Sequence, residues 1–211
     1  SRFPCLGLLL TATLLVCAAC HRVPAADQAL SEGDVQKIKD ALPEKATAQP
    51  AKPRKVLLFY RCEGFRHTDG ILWGDKAFEL MGQKTGAYST VESDDMAMFE
   101  PASLAQFDAI VFNNTTALKF ENPKHREALL DFVKGGKGIV GVHSSTDNFY
   151  NWPEGAAMMG ALFAGHPWGR CAVRLDDPQH PLLAAFGGKG FWISEEMYKM
   201  REPYSREKLR V

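Results

Sequence analysis

The sequence predicts an α/β fold with a doubly wound, mainly parallel sheet and helices on both of its faces. From Lys55 onward, segments with a strand pattern alternate with segments with a helical pattern. Three strand segments, 55–60, 108–114 and 138–142, are apolar, which is typical of strands buried on both faces of a parallel sheet. Right-handed crossovers place the carboxyl ends of such strands at one edge, where ligands bind in these folds.

Length and charge exclude some classes of function. The chain has 211 residues, enough for one sizeable α/β domain with its own core. Lys plus Arg and Asp plus Glu both number 25, so the formal charge is zero. This balance gives no electrostatic basis for binding nucleic acid, and we predict no nucleic-acid partner.

The N-terminus reads as an export signal over residues 1–20. The sequence CLGLLLTATLLVCAAC carries no charge, follows Arg2 and is short for a transmembrane helix. AAC ending at Cys20 resembles a lipoprotein processing site, which would leave Cys20 lipidated. Ordinary cleavage after Ala25 and an uncleaved membrane anchor are the alternatives. We predict a periplasmic or cell-envelope lipoprotein that meets the membrane only through this signal or lipid anchor.

Residues 21–53 are predicted to be a flexible tether, because they are rich in Ala, Pro, Lys, Glu and Asp. A short amphipathic helix is expected around Val35–Leu42. The folded domain is predicted to span residues 54–211. Its two cysteines, Cys62 and Cys171, make no disulfide framework, and their spacing does not decide whether they pair.

The first half of the domain contains three strand segments. KVLLFY, residues 55–60, is the first strand, and the apolar positions of 71–84 then fall near one helical face. YSTVE, residues 88–92, is the second strand, and DAIVFNN, residues 108–114, is the third.

The second half begins with the best-marked helix. Asn122 is its N-cap, Pro123 its first residue and Gly135 its terminator. GIVGV, residues 138–142, is the fourth strand, and a short helix is expected over 155–162. Two further strands are predicted at residues 171–175 and 190–194.

Polar side chains follow the strands at the edge where a doubly wound fold builds its site. Loops on a rigid scaffold are where chemistry is usually found. The candidates are His67 after the first strand, Asn114 and Thr115 after the third, His143, Thr146 and Asp147 after the fourth, and then His166, Glu196 and Tyr198.

Two chemistries fit this set, and the spacing does not choose between them. Neutral imidazoles with a carboxylate suit zinc or a similar divalent ion, with one position open to water or substrate. The same groups can work without a metal as general acid and base. Structural roles are the alternative for each residue alone: His67 could cap the next helix, His143 could pack at a strand end, and His166 could be a turn residue before Pro167.

The remaining histidines are assigned structural places. His125 is predicted to be solvated on the exposed face of a helix, His180 to lie in a turn before a short helix, and His21 to belong to the signal junction. Several aromatic side chains suit sugar rings, which stack well on aromatic faces: Phe149, Tyr150, Trp152, Trp168, Trp192 and Tyr198. Because Trp192 lies inside a strand, we predict it in the core.

Seven motifs, in this order and spacing, resemble the ThuA-like family, which is named for trehalose utilisation. They are GFRH (64–67), FNNTT (112–116), GGKGIVGVHSSTD (135–147), WP (152–153), GALFAGHP (160–167), DPQHP (177–181) and SEEMY (194–198). The resemblance implies a flavodoxin-like fold of the class I glutamine amidotransferase-like superfamily and a link to carbohydrate metabolism. It also implies a family domain that continues past residue 211.

One departure from the superfamily excludes its best-known activity. Glutamine amidotransferases keep a nucleophilic Cys at the sharp turn after a central strand, in a G-x-C-x-G pattern. Here the turn reads GVHSS, and His143 occupies that position. An imidazole at this turn does not supply the thiolate that the glutaminase reaction uses for acyl transfer. We therefore predict that the chain is not a glutamine amidotransferase.

The sequence thus predicts an enzyme that acts on a sugar or keto-glycoside by hydrolysis, elimination or isomerisation. The alternative is a non-catalytic carbohydrate-binding module tethered at the cell surface. In the enzyme hypothesis the catalytic residues are His67, His143, His166 and Glu196. The substrate-binding residues are Asn114, Thr115, Thr146, Asp147 and Tyr198, and the three histidines are the zinc ligands if a metal binds. The hypothesis requires that the three imidazoles meet in space.

Overall fold

A computed structural model describes residues 29–210. The predicted signal peptide over 1–20 and the lipidation of Cys20 lie outside the described residues and stay predictions. Within residues 29–210, no helix is both long and apolar enough to cross a membrane.

The centre of the molecule is a four-stranded parallel sheet in the order β2-β1-β3-β4. The strands are β1 (Lys55–Phe59), β2 (Ser89–Ser93), β3 (Ala109–Asn113) and β4 (Gly138–Val142). This order matches the first four strands of the flavodoxin-like arrangement. The predicted α/β, flavodoxin-like fold class is therefore confirmed.

Five helices accompany the sheet in the described part of the chain. They are α1 (Glu32–Ala41), α2 (Thr68–Thr85), α3 (Pro101–Leu104), α4 (Pro123–Lys134) and α5 (Pro153–Met159), with 3-10 turns at Met96–Phe99, His143–Thr146 and Pro181–Phe186. The predicted limits of α4 are confirmed, since the Asn122 side chain accepts a hydrogen bond from the Lys124 N–H and the helix ends at Gly135. The helix expected in the tether also forms: α1 packs on α2 and buries Ile38.

Helices cover both faces of the sheet. On one face Leu57, Phe59 and Phe112 belong to the main core, which α3 and α4 complete. On the other face Val56, Leu58 and Val111 pack against partly buried side chains that include Phe78 of α2. The alternating inward positions of the apolar strands supply both layers.

The cover of β4 is incomplete: Ile139 packs against the main core, but the prediction that this strand is buried on both faces is wrong for the described structure. β4 is the edge strand of the sheet, whereas α2 packs on β2 and β3. Val140 is consequently 46% exposed.

After α5 the chain forms two antiparallel ribbons. β5 (Leu162–Phe163) pairs with β8 (Met200–Arg201), and β6 (Trp168–Val173) pairs with β7 (Phe191–Glu196). The strands predicted at 171–175 and 190–194 therefore exist, with shifted limits.

Two residue predictions are wrong and one is confirmed. Trp192 is 64% exposed: residues 192–195 of β7 are all exposed, so this strand lies outside the core. His125 is 7% exposed, because α4 packs on α3 and the His125 Nε2 lies 2.7 Å from the Glu100 carboxylate. His180 lies in a turn before a 3-10 helix, as predicted, and its ring nitrogen accepts a hydrogen bond from the Leu182 N–H. Cys62 and Cys171 are not joined by a disulfide.

Candidate active site

A cavity of about 330 Å³ opens at the carboxyl edge of the sheet. Its walls come from the loops after β1 and β4 and from the segments that flank the two ribbons. The lining residues are Phe65, His67, Ser144, Asp147, Phe163, His166, Glu196 and Tyr198.

The turn after β4 brings His143 into contact with His67 and Tyr198 of the cavity wall, while His143 itself lines a neighbouring groove. His143 directly follows β4 and has a φ of +51°, a conformation that residues other than glycine rarely adopt. Buried Ser145 fixes the turn: its hydroxyl oxygen accepts a hydrogen bond from the Val142 N–H at 2.9 Å, and the hydroxyl donates to the Phe112 carbonyl at 2.5 Å. The strained backbone is therefore held by the end of the central sheet.

Glu196 lies between two imidazoles. The His143 Nε2 is 3.6 Å from the Glu196 Oε2, and the His166 Nε2 is 3.5 Å from the Glu196 Oε1. The side chains of His143, His166 and Glu196 are 32%, 35% and 25% exposed, respectively. Solvent and small solutes therefore reach them. One carboxylate thus lies close to two imidazole rings that come from distant parts of the chain.

His67 packs directly on this pair. The His67 and His143 rings meet edge to face with centroids 4.6 Å apart, and the His67 Nδ1 is 3.4 Å from the Ser144 hydroxyl. Burial, and then the neighbouring His143 ring, lower the pKa of His67. His67 is therefore neutral near pH 7 and able to accept a proton.

Tyr198 contacts the same ring from the other side. Its hydroxyl lies 3.2 Å from the His143 Nε2, and its ring stacks near those of Phe163 and His166. Burial, and then the negative charges of Glu196 and Asp147, raise the pKa of Tyr198 to about 12. The phenol consequently keeps its proton at physiological pH and remains a hydrogen-bond donor.

Asp147 is held at the cavity wall by Tyr150. The Tyr150 hydroxyl donates to the Asp147 Oδ1 at 2.6 Å. Burial, and then this hydrogen bond to Asp147, raise the pKa of Tyr150. The sequence predicted that the Tyr150 ring stacks on sugar, and this stays a prediction. The structure shows that its hydroxyl orients the Asp147 carboxylate.

The structure brings together the four predicted catalytic residues and two of the predicted substrate-binding residues, Asp147 and Tyr198. The other three lie elsewhere. Asn114 is buried beneath the cavity with φ +53°, and its amide donates to the Asn113 side chain at 2.8 Å. Thr115 is fully buried, and its hydroxyl accepts a hydrogen bond from Asn148. Thr146 lines a separate groove beside β4, and its buried hydroxyl has no hydrogen-bond partner among residues 29–210.

Sequence reasoning missed several residues of the site. Ser144, Phe65 and Phe163 line the cavity. The sequence could have indicated them, because Ser144 follows His143, Phe65 lies in the GFRH motif and Phe163 lies in the GALFAGHP motif. Asn148 was also missed. Its amide donates to the Ser145 carbonyl at 2.9 Å, and its side-chain oxygen accepts from the Leu118 N–H at 2.9 Å, which joins the loops after β3 and β4.

The aromatic candidates separate into two groups. Phe149 and Trp152 are 1% and 2% exposed and belong to the main core, so they are not available to a ligand. Trp168 and Trp192 are 67% and 64% exposed on the β6–β7 ribbon.

Within residues 29–210, no group of three or more His, Cys, Asp or Glu side chains has an arrangement suited to a metal ion. His67, His143 and His166 are close in space but do not converge as three ligands in this structure. The zinc prediction therefore stays a prediction, and we derive no chemical step through a metal.

The fold and the site define a flavodoxin-like α/β protein with a histidine–carboxylate cavity at the carboxyl edge of its sheet. The family model described as ThuA, trehalose utilisation, matches residues 55–211, and the chain belongs to this family. Membership supports a role related to carbohydrates and confirms the resemblance in the motifs.

Comparison with solved structures supports the fold assignment. No curated protein matches the sequence. The chain is similar in structure to a ThuA-like protein from Bacteroides uniformis, with a TM-score of 0.61 and 20% sequence identity, over 77% of this chain and 67% of that one. At this identity the likeness shows the shared fold alone.

Proposed function

We propose that the protein is an enzyme that acts on a sugar or keto-glycoside by acid–base chemistry. The observation that carries the proposal is the approach of His143 and His166 to opposite oxygens of Glu196, at 3.6 and 3.5 Å. Glu196, His166 and His67 line the cavity, and His143 contacts Glu196 and His67 at its wall. Paired acids and bases of this kind serve hydrolysis, elimination and isomerisation alike.

The surroundings of each group indicate its role in the proposed reaction. His67 has a lowered pKa and is the base that removes a proton next to a sugar carbonyl. His143, between the Tyr198 hydroxyl and the Glu196 carboxylate, donates a hydrogen bond or a proton to the oxygen on which charge develops. Asp147 and Tyr198 supply the polar groups that orient sugar hydroxyls.

The site does not favour glutaminase chemistry. His143 stands where a thiol nucleophile would be required, and the residues that line the cavity include no cysteine. Cys62, in the loop after β1, lies with its Sγ 3.2 Å from the Asn114 carbonyl oxygen instead.

The test replaces His143 by Asn in the full-length protein. Asn tolerates a positive φ better than Ala does, so His143→Asn removes the imidazole with little added backbone strain. We expect turnover of keto-trehalose to fall by at least about 100-fold, since loss of a general acid or base costs that much. The metal content of the purified protein is measured by elemental analysis in the same preparations.

The matched control is His180→Asn. It also removes one imidazole, lies outside the cavity and retains a side-chain acceptor for the Leu182 N–H. Its turnover should equal that of the unchanged protein. A folded His143→Asn variant with undiminished turnover would remove His143 from the mechanism.

A carbohydrate-binding module is the second candidate, and the exposed Trp168 and Trp192 favour it. The two candidates differ in one measurement. A binding module retains the keto-disaccharide unchanged after long incubation, whereas an enzyme converts it.

A further inference from the structure

The outer face of the β6–β7 ribbon is continuous with the cavity. Directly opposed residues in an antiparallel pair share a face of the sheet. The register opposes Trp168 to Glu196, Arg170 to Ser194 and Ala172 to Trp192. These six residues form what we call the ribbon face. Its inner end is Glu196, the carboxylate between the two imidazoles.

The ribbon face presents large aromatic surface to solvent. Trp168 and Trp192 are 67% and 64% exposed, and Arg170, Ala172 and Ser194 between them are also exposed. Indole rings are seldom left this open, and exposed aromatic surface next to a cavity marks a binding surface.

The chemistry of the face alternates between stacking surface and hydrogen-bond donors. The Arg170 guanidinium lies 4.8 Å from the centre of the Trp192 ring, which fixes the indole and places several N–H donors beside it. Ser194 is directly opposite Arg170 in the register and adds a hydroxyl to the same face. Apolar ring faces next to polar donors match a sugar, whose C–H face stacks while its hydroxyls accept hydrogen bonds.

We infer that the ribbon face binds the outer rings of a linear oligosaccharide whose terminal ring occupies the cavity. The inference rests on the proposed function, and it extends the substrate class from disaccharides to longer linear glycans, which should bind more tightly. Glu196 and Trp192 are four residues apart on β7, which corresponds to roughly 13 Å along an extended strand. A single sugar ring does not span that distance, whereas a short chain does.

The size of the face favours a glycan over a second protein chain. Two paired strands of six residues present roughly 200 Å² on one face, from the strand rise and spacing. A stable protein interface needs about 800 Å² from each partner. A narrow linear strip is instead suited to a linear polymer.

The experiment measures binding by calorimetry with the full-length protein. The probes are disaccharides and tetrasaccharides of the cello, malto, laminari and isomalto series. We expect at least one tetrasaccharide to bind about tenfold more tightly than its disaccharide, as stacking on an indole would give. Trp192→Ala should abolish that gain and leave the disaccharide affinity unchanged. Trp73→Ala, which removes a 36% exposed tryptophan from α2, should alter neither affinity.

The outcomes separate this inference from the proposed function. If no tetrasaccharide binds more tightly than its disaccharide, or Trp192→Ala keeps the gain, the ribbon face does not bind glycan. Disaccharide binding that His143→Asn weakens would still support the cavity in that case. Failure of both lengths to bind, without keto-trehalose turnover, would overturn both proposals. A dimer in sedimentation that Trp192→Ala dissociates would identify the face as a subunit contact and overturn the inference.

Discussion

Tyr198 contacts three other side chains of the candidate site: His143, Phe163 and His166. Its hydroxyl lies 3.2 Å from the His143 Nε2, and its ring packs near His166. Because the pKa of Tyr198 is raised to about 12, the phenol stays protonated across the physiological range. It can therefore orient His143 without taking part in proton transfer itself.

Tyr198→Phe tests this positioning role. The substitution keeps the ring and removes one hydrogen bond, so we expect kcat/KM for keto-trehalose to fall by about tenfold with an unchanged melting temperature. Tyr204→Phe also removes one phenol hydroxyl but lies outside the cavity, so this control should leave kcat/KM unchanged. A loss of melting temperature equal to that of a core mutation would instead assign Tyr198 a structural role.

At the level of elements, close contact between α2 and the end of β3 sets the position of His67. The Asn113 amide donates to the Ile71 carbonyl at 3.0 Å and to the Asp75 carboxylate at 2.9 Å. These bonds hold the first turns of α2, and His67 is the residue that precedes the helix. Gly74 permits this approach, since a Cβ there would lie 2.6 Å from the Asn113 Oδ1.

Gly74→Ala should therefore destabilise the protein, although the same change in a helix usually stabilises it. The clash forces α2 away from β3, and we expect the free energy of unfolding to fall by about 1–3 kcal/mol, as overpacking does. Urea denaturation measures the change. Gly33→Ala in α1 is the control, because its nearest contact would be the Ser31 hydroxyl at 3.8 Å. That variant should be neutral or up to about 1 kcal/mol more stable. A stabilised Gly74→Ala would disprove the close contact.

At the scale of the whole molecule, one buried carboxyl links stability to pH. Burial raises the pKa of Asp75 to about 6, against the opposing effect of its hydrogen bond from Asn113. The folded protein thus holds this proton more tightly than the unfolded chain does. Stability contributed by Asp75 is present below the unfolded pKa near 4 and is lost as the pH rises to about 6.

Asp75→Asn should remove this dependence. The amide oxygen still accepts the hydrogen bond from Asn113, and no charge has to be buried. We expect the variant to be more stable at about pH 8, by the order of 1–2 kcal/mol, and equal to the unchanged protein at about pH 4. Calorimetric melting across this range measures the difference. Asp131→Asn, on the exposed side of α4, should produce no such trend. A constant difference at every pH would show that folding does not shift the pKa of Asp75.

Much of the fold follows from local patterns. Apolar runs gave β1, β3 and β4, and the Asn122, Pro123 and Gly135 signals gave the limits of α4. The parallel topology then brought His67 and His143 to one edge, as expected. These features depend on a few consecutive residues and on the right-handed crossover between parallel strands, so they could be predicted from the sequence.

Other features depend on contacts that no local pattern contains. His125 is buried because α3 brings Glu100 against α4, and a helical face alone does not reveal that neighbour. Phe149 and Trp152 fill the core because the loop after β4 packs against the loop after β3. The two loops are joined by the hydrogen bond from the Leu118 N–H to the Asn148 side chain. In each case a long-range contact overrides the exposure that the position in sequence suggests.

By itself the sequence determined the alternation of strands and helices from β1 to β4, the edge that carries the polar loops and the histidines that belong to it. Only the tertiary structure decided that Glu196 stands between His143 and His166 and that Trp192 faces solvent. The physical reason is that backbone preference and apolar periodicity act between near neighbours, whereas strand pairing and convergence on a cavity join segments far apart in the chain.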